Sequence, residues 1–269
     1  MDVPNTIPSK LPTKMPAVFV GHGSPMNALE HNRYTQAWHD FGRSVPRPRA
    51  ILAVSAHWYI NASAVTAMPR PKTIHDFFGF PDELFAVEYP APGDPALAAE
   101  IADVVKPIWI GQDIDSWGLD HGTWSVLAHM FPDADIPVVQ FSIDAGKDIA
   151  YHASVGAALD PLRNDGVLIV GSGNVVHNLR QLEWSNPEGG FDWAHSFDDA
   201  ARDIMTNRPG DIASLGEHPN FRQSAPTPDH FLPLAYVAGL ADASDTAAEV
   251  LISGYAMGSL SMTSFVIPG

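Results

Sequence analysis

The sequence predicts an α/β fold: one domain with a central, mainly parallel (mixed) sheet flanked by helices on both faces. Three observations predict it. Four short apolar runs rich in Val and Ile recur along the chain, at 17–20, 50–54, 136–141 and 167–170. Such continuous runs suit strands buried on both faces of a sheet. Stretches of helical character lie between them, and strand–helix alternation of this kind implies parallel pairing.

Taken in order, the 17–20 run ends in Gly21-His22-Gly23-Ser24-Pro25, and the 50–54 run ends in Ser55-Ala56-His57-Trp58. A helix is expected over 95–105, with Asp94 as N-cap and Pro95 at its first position, where the missing N–H costs nothing. Further helices are expected over 123–131 and 148–162. The 167–170 run leads into a Gly171-Ser172-Gly173-Asn174 turn, with His177 at the start of a following helix. Residues 186–196, rich in Gly, Trp and Asn, read as a long loop, as do residues 207–229 with their four prolines. A helix over 228–240 follows Thr227 as N-cap. The segments 249–253 and 261–267 read as terminal strands that can pair antiparallel. No repeat or low-complexity linker divides the chain, so residues 1–269 form one catalytic domain, with 1–15 as a flexible N-terminal arm.

Composition narrows the chemistry. The chain has 269 residues, 45% of them apolar, enough for a substantial core. Acidic residues outnumber basic ones by 31 to 15, for a formal charge of -16. A nucleic-acid binder needs a cationic footprint, and the densest basic stretch, 43–49, is short and broken by prolines. There is no cysteine, which excludes disulfides, thiolate catalysis and Fe–S clusters. Any metal site must therefore use His, Asp, Glu and water. The N-terminus has no apolar signal-peptide segment, and no run reaches the ~18 residues of a membrane span. A cytoplasmic monomer or homodimer is expected, with no membrane or nucleic-acid partner.

Placement singles out a few of the 12 histidines. His22 and His57 fall two and three residues past predicted strands, where open α/β sheets bind ligands. His177 lies seven residues after Val170. His230 sits in the first turn of the predicted 228–240 helix, after Pro226-Thr227-Pro228-Asp229. His121 sits in Asp120-His121-Gly122, and His75 is a candidate for the pocket wall. A lone histidine near a strand end is more often a hydrogen-bonded loop residue than a ligand; three at the ends of neighbouring strands change that balance. Imidazoles suit Zn, Fe, Cu and Ni alike. Gly171-Ser172-Gly173 is not a nucleophile elbow, and neither a dinucleotide fingerprint nor a P-loop is present.

These motifs, with the Ile74-His75-Asp76-Phe77-Phe78-Gly79-Phe80-Pro81 block running on to Glu88-Tyr89-Pro90-Ala91-Pro92-Gly93, resemble the class III extradiol ring-cleavage dioxygenases. The similarity runs from Pro16 to Ile267 and is greatest to the 4,5-DOPA dioxygenase extradiol branch. The resemblance implies that His22, His57 and His230 hold one divalent metal ion, with His177 beside it as a fourth ligand or as the acid/base. It implies that His121 contacts substrate or dioxygen, making His121 and His177 the catalytic pair. The broader class uses two His and one Glu; here His230 falls at the position of that Glu. The implied reaction inserts both atoms of O2 into a catechol-type ring. It requires Fe(II), although Zn(II) is found in isolated members of the branch. Trp58, Phe78 and Phe80 are candidate walls for a flat substrate, in competition with ordinary core roles. Two other readings remain open: a zinc-dependent hydrolase on the same scaffold, and a non-catalytic metal- or ligand-binding protein.

Overall fold

The computed structural model describes residues 14–269. Its strands are β1 (Ala17–Gly21), β2 (Ala50–Ile60), β3 (Ala64–Thr66), β4 (Lys72–Thr73), β5 (Gly111–Asp113), β6 (Gly118–Leu119), β7 (Val138–Asp144), β8 (Val167–Gly173), β9 (Glu249–Ile252), β10 (Tyr255–Ala256), β11 (Leu260–Ser261) and β12 (Ser264–Ile267). Eight of them form the main sheet in the order β5-β3-β7-β2-β8-β1-β12-β9. The central strands β7, β2, β8 and β1 are mutually parallel, whereas β12 pairs antiparallel with both β1 and β9. The sheet is thus mixed with a parallel centre, as the sequence predicts.

The apolar runs are continuous because both faces are covered. Side chains alternate across a strand. Ala17, Phe19, Leu52, Val54, Val139 and Ile169 therefore face one core, and Val18, Val20, Ile51, Ala53, Val138, Leu168 and Val170 face the other. The first core is closed by α3 (Pro95–Val104), α5 (Ile149–Leu159), α7 (Asp192–Asn207) and α9 (Leu232–Ala243), through residues such as Leu97, Leu159, Phe197 and Tyr236. The second is closed by α1 (Arg33–Ser44) and α4 (His121–Met130), through Trp38, Phe41, Trp124 and Leu127. The short helices α2 (Asp82–Phe85), α6 (Pro161–Asn164) and α8 (Phe221–Ser224) lie in the connections.

Helix starts follow capping chemistry. Asp94 accepts from the N–H groups of Ala96 and Leu97 at 3.0 Å each, with Pro95 in the first turn. Asp148 accepts from Tyr151 N at 2.8 Å, and Asp120 caps α4 through Thr123 N. Helix α1, which the sequence reading did not anticipate, opens with an Asn32/Thr35 capping box and buries Tyr34, Trp38 and Phe41 along one face.

Several expected boundaries are corrected. The 136–141 strand starts at Val138, since Pro137 has no N–H for a ladder. Strand β2 continues to Ile60, so His57 lies within it, where its register against β7 shifts between Val54 and Tyr59. Gly171–Gly173 is not a turn but the end of β8, paired with Phe19, Val20 and Gly21. Residues 228–231 precede α9 instead of opening it, and the His230 carbonyl accepts from Asn174 N at 2.8 Å. His177 does not open a helix; it bridges to Leu260 and precedes a 3-10 turn at Leu179–Gln181. The 186–196 loop ends early, at the start of α7, and 207–229 contains a 3-10 helix at Pro209–Glu217 as well as α8. Of the expected N-terminal arm, residues 1–13 lie outside the described residues. Lys14 pairs with Asp160 at 2.6 Å, and buried Met15 donates its N–H to the Arg163 carbonyl. Among the described residues no helix is long and apolar enough to cross a membrane.

His152 on α5 is fully buried with its Nδ1 3.1 Å from the Tyr236 hydroxyl, and burial pushes its pKa down to about 4. Above pH 6.5 the imidazole is neutral in both folded and unfolded chains. Between 6.5 and 4 the unfolded chain takes a proton that the folded one refuses, so stability falls with falling pH by up to about 3 kcal/mol. Urea denaturation of His152→Gln at pH 7 and pH 4.5 should show a smaller acid-induced loss than the unsubstituted protein. An equal loss would refute this role.

Candidate metal centre and active site

The parallel centre of the sheet brings the carboxyl ends of β1, β2 and β8 to one edge. Gly21 pairs with Gly173 and Ser55 with Ser172 there. His22 follows β1 directly, and its N–H donates to the Gly173 carbonyl at 2.9 Å. His57 leaves the regular ladder of β2 at its register shift. His230 comes from the turn before α9, which lies against Gly173: a Cβ on that glycine would collide with the His230 carbonyl oxygen. The donor atoms of His22, His57 and His230 all lie within 4.8 Å of one another.

Each of these rings is anchored through Nδ1. Ser172 Oγ donates its one proton to the Gly122 carbonyl at 2.5 Å, so it must accept from His22 Nδ1–H at 2.9 Å. His57 Nδ1 lies 3.1 Å from Asp76 Oδ2, and His230 Nδ1 lies 2.5 Å from Asp229 Oδ2. A carboxylate only accepts, so a hydrogen bond to either one requires the proton on Nδ1. With the proton on Nδ1, each Nε2 carries the lone pair, and those of His22 and His57 lie 3.3 Å apart. Converging lone pairs repel unless a positive charge sits between them. Two imidazole nitrogens bound tetrahedrally to one ion at ~2.0–2.1 Å would lie ~3.3 Å apart, so the donor set fits a divalent metal. Burial first, then the neighbouring imidazoles, holds the pKa of His22 and of His230 well below the ordinary value, which keeps these rings neutral as metal ligands must be. For His57 burial works in the same direction, but the Asp76 hydrogen bond and the charges of Asp120, Asp76 and Asp229 outweigh it and raise its pKa.

His121 is the first residue of α4, its ring 3.8 Å from that of His57. Its Nδ1 and its backbone N–H both meet Asp76 Oδ1, at 2.8 and 3.0 Å. Burial lowers its pKa, and the Asp76 hydrogen bond only partly offsets this. Asp76 itself is held well below the usual carboxylate range: burial opposes ionisation, but the hydrogen bonds and charges of His121 and His57 overcome it. His177 stacks face to face on His230, with centroids 3.5 Å apart and planes within 3°, and burial lowers its pKa to about 4. It is not among the three residues whose donor atoms gather within 4.8 Å. Asp120 lies beneath the site, accepting from Ser55 Oγ at 2.6 Å and from the Gln140 amide, and burial raises its pKa. Gly122 has no room for a side chain, because a Cβ would meet Ser55 Oγ and His57 Cδ2.

Other expected site residues lie elsewhere. His75 turns away, donating Nε2–H to the Val87 carbonyl at 2.8 Å. Its neighbour Asp76 faces the site instead. Phe78 is 92% exposed and walls nothing, while Trp58 is buried and stacked on Trp117. Phe80 packs on Phe77, and it is Phe77 that meets His121 edge-on at 5.4 Å. Sequence reasoning missed Asp76, Asp120, Asp229 and Ser172 as working residues. Asp76, Asp120 and Asp229 carried one legible signal, since each stands beside a histidine in a motif already noted.

Residues 16–267 match the family described as the catalytic LigB subunit of aromatic ring-opening dioxygenase. The chain is 47% identical over 261 residues, 95% of each protein, to the 4,5-DOPA dioxygenase extradiol of Escherichia coli K12. It is 34% identical to the protein of that name from Beta vulgaris, covering 92% of this chain and 94% of the relative. A crystal structure of an uncharacterized Escherichia coli K12 protein superposes with a TM-score of 0.82 at 43% identity, covering 94% of this chain and 99% of that one. With its histidine cluster at the carboxyl edge of the sheet, this chain belongs to the LigB family of aromatic ring-opening dioxygenases.

Proposed function

We propose that this protein is an extradiol dioxygenase that opens a catechol-type ring with O2. In this reading His22, His57 and His230 hold one Fe(II), and His121 and His177 move the protons. The observation that carries the reading is the set of three imidazoles whose donor atoms gather within 4.8 Å of one another, each with a polar partner at Nδ1. Relatives named as 4,5-DOPA dioxygenases support the reaction class and the choice of a catechol.

A bound Fe(II) would supply the redox partner for O2 and the positive charge that favours a catecholate. The protein supplies the proton chemistry. A catechol brings two hydroxyl protons, and two neutral imidazoles stand beside the metal ligands. His121 gives Nδ1–H to Asp76, which leaves Nε2 as the acceptor. Burial keeps His121 and His177 unprotonated at neutral pH, so both begin as bases. Each becomes an acid only after taking a substrate proton, which suits return of that proton as the ring opens. The stacking of His177 on His230 supports proton transfer over ligation for His177.

Protein loaded anaerobically with Fe(II) should take up O2 with members of a catechol panel and form yellow ring-opened products. No uptake across the panel, or ester hydrolysis driven by Zn(II) without O2, would overturn the proposal. His121→Gln and His177→Gln should each lower kcat by about 10²–10⁴-fold while bound metal, measured by elemental analysis, stays stoichiometric. His57→Ala should lose the metal itself.

A further inference from the structure

We propose that Asp76 is a positioning residue that sets the tautomers of His57 and His121 together, one carboxylate oxygen for each ring. This rests on the metal-site reading above. Oδ2 faces His57 Nδ1 at 3.1 Å, and Oδ1 faces His121 Nδ1 at 2.8 Å. Oδ1 also takes the backbone N–H of His121 at 3.0 Å, a free donor at the start of α4. A carboxylate offers acceptors only, so both rings must turn N–H toward it and lone pairs away from it. The lone pair of His57 then serves the metal, and that of His121 serves a substrate proton. A single side chain thus makes one imidazole a metal ligand and its neighbour, 3.8 Å away, a base.

The segment carrying Asp76 is built to hold still. Strand β4 pairs with β6, Ile74 N donates to the Leu119 carbonyl at 2.7 Å, and Trp124 Nε1 donates to the Ile74 carbonyl at 2.8 Å. His75 on one side is tied to Val87, and Phe77 on the other packs on the His121 ring. Asp76 is therefore delivered between the two imidazoles by a chain held on both sides. Polar partners behind metal-bound histidines fix ring orientation in this way, and their loss weakens metal binding by about 10–100-fold.

The decisive comparison is Asp76→Asn against Asp76→Ala. An Asn oxygen can still take the two His121 donors, but its NH2 then faces His57 Nδ1. That forces the His57 proton onto Nε2 and removes the lone pair the metal needs. An Ala leaves space for water, which can accept as well as donate. Zinc affinity, measured by competition with a chelator, should fall at least tenfold in Asp76→Asn and fall less in Asp76→Ala. Melting temperature without metal should rank the variants the other way, with the near-isosteric Asn closer to the unsubstituted protein. A purely structural Asp76 predicts that Ala is the worse variant in both measurements, and that ranking would overturn the proposal. Nitrogen-15 NMR of the zinc-loaded, unsubstituted protein tests it without a variant: both His57 and His121 should carry Nδ1–H, and Nε2–H on either would overturn it. An unsubstituted protein that takes up no zinc would instead remove the metal-site reading beneath it. A second ion located among His57, Asp76 and His121 by anomalous scattering at the zinc edge would overturn the tautomer role.

Discussion

Three imidazole lone pairs that face one another across a few ångströms repel, and this structure holds them there. The His22, His57 and His230 rings cannot relax by swapping tautomer, because Ser172, Asp76 and Asp229 each claim the Nδ1 proton. Ser172 is itself committed, its only proton spent on the Gly122 carbonyl. Positive charge at the centre, such as a divalent ion, would relieve that repulsion. Much around it serves to resist the repulsion: the rigid β4 segment, the Asp120 network under β2, and the close approach of the 230 turn to β8.

The sheet makes this possible by parallelism. Strands running the same way end on the same edge, so His22 after β1, His57 in the irregular end of β2 and Ser172 near the end of β8 meet although 35 to 150 positions separate them. Burial of both faces fixes the strands in register, since a one-residue slip would exchange the two cores and turn every side chain over. The histidines inherit that precision. The place where precision is relaxed, the register shift in β2, is where His57 turns from ladder to site.

The same burial that makes neutral imidazoles good ligands and good bases gives the fold an acid liability. His22, His230, His121, His177 and His152 all have lowered pKa values in which burial is the largest cause. Each resists a proton that the unfolded chain accepts freely, so each subtracts stability as pH falls below about 6.5. At the site this cost accompanies the proposed chemistry; at His152 it buys nothing visible.

What the sequence by itself determined is local in origin. Apolar runs announced buried strands, Asp94 with Pro95 announced a helix start, and histidines two or three residues past two strands announced a site. Placement also singled out His177, His230 and His121, and family resemblance gave them roles. The capping box of α1 is also written locally, at Asn32 and Thr35. Only the tertiary structure decided which neighbour of a motif faces inward, turning Asp76 to the site and His75 to Val87. It also set the 228–231 turn against the end of β8, where the His230 carbonyl accepts from Asn174 N. A capping bond is made within four residues and leaves its mark on the local sequence. A hydrogen bond across 45 or 150 residues is fixed by where the sheet puts its ends, and no short stretch of chain records it.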